Sequence, residues 1–270
     1  GELTVLNLDP DAVKEGEEMD LGLEKISQLP WKLRSDFLGC VECKRCTEQC
    51  PAAIAGQELR PAGFVISGRR ALGEGKDGES VIGTIITEQA LGQCTSCLAC
   101  ESICPVGIEH SQLLFGAKRA QTLSIGTGGV ASDFLKKIET SGNPFAAGGD
   151  ARKDLIGDLD IPLYRKGETE WLLWMGCVWN FNPDLRGTVD AAVKVFKKAG
   201  LNFGVLESEQ CSGHHSRRQG EEMQFQQLAR ENMDAMKSLG VKKMVTGCPH
   251  CLHTIGKEYG DLDRGFAPSV

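Results

Sequence analysis

The stretch Cys40-Val-Glu-Cys43-Lys-Arg-Cys46-Thr-Glu-Gln-Cys50-Pro51 returns later in the chain as Cys94-Thr-Ser-Cys97-Leu-Ala-Cys100-Glu-Ser-Ile-Cys104-Pro105. In both copies two residues separate each of the first three cysteines, three residues precede the fourth, and a proline follows it. A disulfide framework does not account for a spacing that is duplicated and closed twice by proline. The repeat predicts instead two short loops, each wrapped around a group that thiolates can bind.

Thiolates at this spacing hold a pair of [4Fe–4S] clusters. The first three cysteines of each loop ligate one cluster, and the fourth points away and ligates the other cluster. We therefore predict two ligand sets that cross between the loops. They are Cys40, Cys43, Cys46 and Cys104 for cluster 1, and Cys94, Cys97, Cys100 and Cys50 for cluster 2.

The composition of the 270 residues limits the setting of the protein. A chain of this length holds about two domains. All twelve cysteines can be placed at cluster positions, which predicts a reducing, cytoplasmic setting. The net charge of −7, without a basic stripe, argues against nucleic acid as a partner. No apolar run approaches the ~18 residues that a membrane span requires.

The first half of the chain predicts a helical domain. Residues 1–22 are acidic and have too little apolar surface to order themselves, so we expect an extended lead-in. A helical domain that carries both cysteine loops is predicted for 23–123. Its candidate helices cover Pro61–Leu72, Glu79–Ala90 and Ser111–Thr122. Within Glu79–Ala90 the apolar residues Val81, Ile82, Ile85 and Ile86 also fit a strand, and we prefer the helix.

A Gly-rich, polar segment follows at 124–167 and predicts a linker with one short helix around Asp133–Thr140. The loop Gly73–Gly78 matches G-x-G-x-x-G, the fingerprint of dinucleotide binding. That fingerprint requires a preceding strand, whereas here a helix precedes it. We interpret the loop as a turn, and we identify no flavin or nucleotide site.

From Trp171 onward the pattern alternates between strands and helices, which predicts an α/β domain over 168–262. The predicted strands are Trp171–Met175, Phe203–Leu206 and Lys243–Thr246. Parallel strands present their carboxyl ends at one sheet edge, where ligands bind. Cys177, Cys211 and Cys248 each follow one of these strands, and Cys251 lies one helical turn past Cys248. We predict that Cys177, Cys211, Cys248 and Cys251 bind a third [4Fe–4S] cluster, cluster 3.

The segment Cys248-Pro-His-Cys251 also fits two other kinds of site. One is a thioredoxin-type dithiol, in which a helix N-terminus acidifies one thiol, and the other is a zinc-stabilised interaction module. The thioredoxin-type motif follows the first strand of its domain, whereas this one comes last. A thioredoxin-type dithiol leaves the remote Cys177 and Cys211 unexplained, so we favour the cluster over it, and the zinc-stabilised module stays an alternative.

The spacing Cys177-x33-Cys211-Ser212-x35-Cys248-x2-Cys251 resembles the cysteine-rich "CCG" domain of heterodisulfide-reductase-like iron–sulfur proteins. Trp174-Met-Gly-Cys177 and Val245-Thr-Gly-Cys-Pro-His-Cys251 carry the same resemblance. In that family a helical two-cluster ferredoxin domain precedes the cysteine-rich domains. The resemblance therefore implies an α+β chain, with a helical ferredoxin domain followed by an α/β CCG domain. The chain looks most like the iron–sulfur subunits of electron-transfer-flavoprotein:quinone oxidoreductases.

The resemblance also implies a function. We expect an iron–sulfur subunit of a multisubunit oxidoreductase that relays electrons through three [4Fe–4S] clusters. Its partners would be a flavoprotein and a membrane or quinone-linked subunit, which would place it at the cytoplasmic face of a membrane. The alternative is a catalytic disulfide or heterodisulfide reductase subunit that acts at the C-terminal cysteine-rich site.

Four further residues are candidates for tuning cluster 3. Ser212 stands where the family motif has a second cysteine, so the resemblance implies an ordinary four-thiolate cubane and weakens the prediction of disulfide cleavage. His214 and His215 either act on the cluster, since imidazole can replace thiolate, or face solvent as a polar pair. His250 lies between two predicted ligands and is expected to shape their loop.

Overall fold

The computed structural model describes residues 21–126, 129–266 and 268–270. The predicted acidic lead-in at 1–22 lies outside these residues except for its last two positions. The chain divides into two compact units. The first contains the residues up to Thr127 together with Arg218–Glu221, and the second contains Gly128–Arg217 and Glu222–Val270. None of the described helices is long and apolar enough to cross a membrane.

The first unit is helical and carries both cysteine loops. Its core forms where the helix Trp31–Gly39 packs against the helix Pro61–Gly73, which come close together because Gly68 has no side chain. A Cβ atom there would lie 2.4 Å from the Phe37 ring. The helices are α1 (Trp31–Gly39), α2 (Arg45–Glu48), α3 (Pro51–Ile54), α4 (Pro61–Gly73), α5 (Val81–Thr84), α6 (Glu88–Gly92), α7 (Ala99–Ser102) and α8 (His110–Ile125). The helices predicted for Pro61–Leu72 and Ser111–Thr122 are confirmed as α4 and α8.

The single helix predicted over Glu79–Ala90 is wrong. The chain leaves the helical conformation at Ile82 and at Gly83, whose φ of 96° is left-handed. A new helix, α6, begins only after Thr87, whose hydroxyl caps it by accepting a hydrogen bond of 3.1 Å from the backbone amide of Ala90. A glycine in a left-handed turn and a capping threonine therefore divide the apolar run into two short elements.

The second unit is built on a parallel sheet of three strands, β1 (Trp171–Trp174), β2 (Phe203–Gly204) and β3 (Lys243–Thr246). Their order in the sheet is β2-β1-β3, and Trp171 pairs with both Phe203 and Lys243. The helices are α9 (Gly129–Ser141), α10 (Gly149–Asp158), α11 (Gly176–Phe181), α12 (Arg186–Lys198), α13 (His214–Gln219), α14 (Glu222–Ser238), α15 (Pro249–His253) and α16 (Tyr259–Leu262). A helical first domain and a small parallel sheet confirm the predicted α+β fold.

The central strand β1 is covered on both faces, as expected for a parallel sheet between helices. Leu172, Leu173 and Trp174 are fully buried. Leu172 and Trp174 pack with residues of α14, while Leu173 packs with α12 on the other side. Within 124–167, α9 confirms the short helix predicted around Asp133–Thr140, and α10 is an additional helix that the glycine-rich composition did not indicate.

Candidate metal centres

The two cysteine loops of the first unit repeat one unusual backbone path. The residues on either side of the middle cysteine are left-handed in both loops: Glu42 and Lys44 have φ of 55° and 61°, and Ser96 and Leu98 both have φ of 59°. Each such non-glycine residue costs roughly 1–2 kcal/mol. Strain of this kind persists at functional sites, where the surrounding structure fixes it. The repeated path therefore points to a binding function for both loops.

The cysteines assigned to cluster 2 line a single cavity. Cys94, Cys97 and Cys100 of the second loop share it with Cys50 of the first, and the space including its opening to solvent measures about 450 Å³. The rest of the lining is mainly apolar, with Ala52, Leu59, Pro61, Leu114 and Phe115 among it. The fourth cysteine of one loop thus lies with the first three of the other. Their role as ligands stays a prediction.

The cysteines assigned to cluster 1 also lie close together. Burial raises the pKa of Cys46, and the neighbouring thiolates of Cys40, Cys104 and Cys43 raise it further. Cys104 therefore lies beside the first loop, although it belongs to the second. Its sulfur accepts a hydrogen bond of 3.3 Å from the amide of Ile108, and the sulfur of Cys94 accepts one of 3.4 Å from Ser96. Amide donors to sulfur tune the potentials of iron–sulfur clusters.

These thiols are poorly suited to exist as free thiolates. Burial raises the pKa of Cys40, Cys46, Cys94 and Cys100. Burial, with the charges of Glu101 and the nearby cysteines, raises the pKa of Cys100 to about 12. A group of buried sulfurs becomes anionic readily only beside positive charge. Iron ions supply that charge, so the two sets fit iron–sulfur clusters chemically.

The four remaining cysteines meet at the carboxyl edge of the sheet. Cys177 follows β1 in α11, Cys211 follows β2, and Cys248 follows β3 as the N-cap residue of α15. A hydrogen bond with Cys211, followed by burial and the charge of Cys248, raises the pKa of Cys177. A hydrogen bond with Cys248 raises that of Cys251. Residues distant in sequence therefore form one thiol group in the second unit.

Cys248 differs from the other members of this group because its thiolate is stabilised. A hydrogen bond from Cys251 lowers its pKa to about 5, against the opposing effect of burial, and the amides of Cys251 and His250 contribute. These amides belong to the first turn of α15, where Pro249 fixes the entry of the helix. In the described ranges, no group of three or more His, Cys, Asp or Glu side chains is placed to hold a single metal ion.

Gly176 provides space for the third cysteine group. Its φ is 69°, and a Cβ atom there would lie 3.2 Å from the sulfur of Cys251. Gly176→Ala is therefore expected to disturb the third group in addition to the ~1–2 kcal/mol cost of the left-handed backbone. We expect the variant to lose about four irons per chain, measured by iron analysis after anaerobic purification.

Gly200 provides the matched control for this prediction. Its φ of 68° is nearly the same, but no atom lies within 4 Å of the position of its Cβ. Gly200→Ala should therefore carry the same backbone cost and retain all of its iron. Equal iron content in the two alanine variants would contradict the steric role of Gly176.

A buried ion pair lies beneath the loop of Cys177. Glu209 and Arg152 approach to 3.4 Å, and their side chains are only 1% and 3% exposed. Glu209 accepts hydrogen bonds from the amides of Met175 and Gly176 at 3.2 and 2.5 Å, and from Asn180 at 3.1 Å. Arg152 donates to Asn180 and, at 2.6 Å, to the carbonyl of Leu206. This network fixes the turn that leads from β1 into Cys177.

The network was not predicted from the sequence. Arg152 lies on α10, in the segment expected to be a linker, and Asn180 lies on α11, which follows β1 directly. Glu209 is two residues before Cys211, and this position beside a predicted ligand was the one signal available. Its partners could not be inferred because they come from separate elements.

Ser212 is buried within the third group. Its hydroxyl oxygen lies 3.6 Å from the sulfur of Cys251, within hydrogen-bond distance for sulfur, and its side chain points toward the cysteines rather than solvent. Its carbonyl accepts a hydrogen bond of 2.9 Å from the hydroxyl of Tyr259. Asn232 donates to the carbonyl of Cys211 at 3.0 Å and to Tyr259 at 3.1 Å. Buried polar groups therefore hold the Cys211–Ser212 backbone in place.

Three histidines assemble beside the same site. The rings of His214 and His250 stack with centroids 4.3 Å apart, and His215 packs edge-on against both, at 5.4 and 5.5 Å. His214 also contacts the hydroxyl of Thr254 at 3.1 Å. His214 and His215 are half-buried, whereas His250 is exposed. The structure thus brings all three histidines together, and their action on a cluster stays a prediction.

Comparison with known proteins matches two segments of the chain to protein families. Residues 36–108 match the 4Fe-4S dicluster domain, and residues 171–256 match the cysteine-rich domain named CCG. No solved structure shows a significant match. The two matched segments contain the cysteine loops and all of the third cysteine group.

Three curated relatives illustrate the similarity. A probable membrane-anchored ferredoxin of Chromohalobacter salexigens is 34% identical over 90% of this chain and 40% of its own length. An EtfAB:quinone oxidoreductase of Syntrophomonas wolfei is 29% identical over 97% of the chain and 43% of its own length. A component of the dihydromethanophenazine:CoB–CoM heterodisulfide reductase of Methanosarcina mazei is 26% identical over 78% of the chain and 55% of its own length.

The chain therefore spans only about half of the length of these three relatives. The family matches agree with the motifs from which the resemblance was inferred. Both cysteine-bearing segments are found together in one chain, in the order that the sequence predicted. The chain carries a 4Fe-4S dicluster domain followed by a cysteine-rich CCG domain, and it is similar to iron–sulfur proteins named as an EtfAB:quinone oxidoreductase and a heterodisulfide reductase.

Proposed function

We propose that this chain is the iron–sulfur electron-transfer part of a multisubunit oxidoreductase. It relays electrons through three [4Fe–4S] clusters, between a flavoprotein partner and a quinone or another acceptor. The observation that carries the proposal is the grouping of the twelve cysteines into three sets of four. Four thiolates are the usual ligand set of one such cluster.

The partners are proposed from the relatives. One relative is named as an EtfAB:quinone oxidoreductase, and another as a membrane-anchored ferredoxin. On this basis we propose a flavoprotein and a membrane or quinone-linked subunit as partners, with the chain held at the cytoplasmic face of the membrane. The identity of each partner is part of the proposal.

The clusters would supply one-electron chemistry, and the residues of the chain would set where it occurs. The amides of Ser96 and Ile108 direct hydrogen bonds to the sulfurs of Cys94 and Cys104. Glu209 and Arg152 hold the turn before Cys177, and both side chains are buried beneath it. Such hydrogen bonds, burial and nearby charge determine the reduction potential at each position.

Metal and acid-labile sulfide analysis of anaerobically purified protein tests the proposal. We expect about twelve irons and a similar amount of sulfide per chain. Reversible one-electron reduction of the clusters should also produce EPR signals. About eight irons with a titratable Cys248–Cys251 dithiol would remove cluster 3 from the proposal. Stoichiometric zinc in place of iron would overturn it entirely.

A disulfide reductase acting at the C-terminal site is the second candidate function. The lowered pKa of Cys248, about 5, is the feature that favours it, because a thiolate is the attacking form in thiol–disulfide exchange. Alkylation of the protein as purified, with its iron retained, separates the two functions. A reductase dithiol at Cys248 would react with iodoacetamide, whereas a cluster ligand would be protected.

A further inference from the structure

A cation contacts the first cysteine of each loop in the first unit. Arg69 on α4 donates from Nη1 to the carbonyl oxygen of Cys40 at 3.1 Å. Lys118 on α8 donates from Nζ to the carbonyl oxygen of Cys94 at 3.3 Å. Cys40 and Cys94 hold equivalent positions in the duplicated motif. The effects of Arg69 and Lys118 on their two loops can therefore be compared directly.

The two cations differ in how their charge is compensated. Arg69 forms an ion pair with Glu42 of the same loop, and the two side chains are 32% and 47% exposed. Lys118 is only 6% exposed. Across the described ranges of the chain, no carboxylate forms an ion pair with Lys118, and the charged groups that act on it are Cys94 and a second cation, Arg218. Glu42 and solvent therefore offset the charge of Arg69, whereas Lys118 has neither beside it.

A buried ammonium group without an anion costs several kcal/mol, so buried lysines are normally paired. A [4Fe–4S] cluster held by four thiolates is anionic, and cluster 2 would be held by Cys94 and the cysteines around it. The anion that Lys118 lacks is therefore supplied by the site next to it. Because charge interactions are much stronger in a buried setting than near water, Lys118 acts on its cluster more strongly than Arg69 does.

We infer that Lys118 is the counter-cation of cluster 2 and that it raises the reduction potential of cluster 2 relative to cluster 1. The inference rests on the proposed function. One-electron reduction adds negative charge beside Lys118, and a fixed cation stabilises that reduced form more than the oxidised form. Lys118 is a positioning residue, since it acts through the Cys94 loop, and it makes cluster 2 the preferred site of an electron within the first unit.

An EPR-monitored redox titration of the full chain tests this inference. Lys118→Gln keeps a hydrogen-bond donor for the Cys94 carbonyl but removes the charge, and Lys118→Arg keeps both. We expect Lys118→Gln to lower the midpoint potential of cluster 2 and to leave that of cluster 1 unchanged. Lys118→Arg should retain the original potential. A Cys97→Ala variant, which removes the signal of cluster 2, identifies that signal.

Arg69→Gln is the matched control. It removes the equivalent cation beside Cys40, and we expect a smaller shift at cluster 1 because Glu42 and solvent already offset that charge. An unchanged potential in Lys118→Gln, or equal shifts in the glutamine and arginine variants at position 118, would overturn the inference. So would a shift in Arg69→Gln as large as that in Lys118→Gln.

If Lys118→Gln fails to assemble cluster 2, so that no potential can be measured, the iron content of the two variants at position 118 tests the inference instead. Loss of about four irons in Lys118→Gln with full iron in Lys118→Arg supports the role of the charge, whereas loss in both variants overturns it. The proposed function is tested separately, by the iron content and reversible reduction of the unaltered chain. Failure of the inference about Lys118 would leave those results unchanged.

Discussion

Replacing Cys211 by alanine is expected to remove about four of the roughly twelve irons, and one of the three sets of EPR signals, that the proposed three clusters would give. Cys211 is 3% exposed, and its thiol hydrogen-bonds with that of Cys177. Without its thiolate the third group retains three cysteines from two other loops, which is one ligand fewer than a cubane requires. Iron analysis and EPR of the reduced protein measure the result.

Cys50→Ala serves as the control for the Cys211 variant. Cys50 lies with the second loop in the first unit, so its loss should remove the signal of cluster 2 and leave that of cluster 3. The two variants should therefore lose different signals and similar amounts of iron. Retention of all signals in Cys211→Ala would contradict the assignment of Cys211 as a ligand.

Among the substitutions proposed, Glu209→Ala is expected to lower the free energy of unfolding the most. The change leaves the Arg152 guanidinium buried without its carboxylate, and breaking a buried pair in this way costs about 3–5 kcal/mol. The amides of Met175 and Gly176 also lose their acceptor. Denaturation in urea measures the free energy of unfolding, and buried Trp174 in β1 provides a fluorescence signal from the second unit.

Two further variants give this stability prediction its controls. Asp190→Asn removes the exposed ion pair between Asp190 and Lys194, one helical turn apart, and should cost only about 0.3–0.5 kcal/mol. Combining Glu209→Leu with Arg152→Met removes both buried charges and should recover much of the loss, because no unpaired charge remains. A loss in Glu209→Ala no larger than that in Asp190→Asn would show that the buried pair has little effect on folding.

The sequence predicted much of the fold because its strongest signals are local. The apolar run at Trp171, the proline at the start of α4 and the spacing of the cysteine loops each depend on neighbouring residues. The convergence of Cys177, Cys211 and Cys248 followed from one general rule, since the carboxyl ends of parallel strands share an edge. The pairing β2-β1-β3 satisfies that rule.

The features that the sequence did not predict depend on contacts between distant segments. α10 was not identified because its glycines and charges resemble a linker, and only burial against Glu209 explains Arg152. The division of the Glu79–Ala90 segment depends on the conformation of Gly83, which an isoleucine-rich pattern conceals. The stacking of His214 on His250 joins α13 to α15, and no local pattern predicts it.

The exchange of Cys50 and Cys104 between the two loops has a consequence for assembly. Each loop carries one cysteine that lies with the other set, so a cluster in either position would tie the two loops together as a covalent cross-link does. Such a tie limits the freedom of the unfolded chain, and it brings the remaining ligands of the other cluster close to one another. Insertion of the first cluster should therefore favour insertion of the second. When iron is scarce, chains would tend to be either filled or empty in this unit, which limits the number of relays that are interrupted halfway.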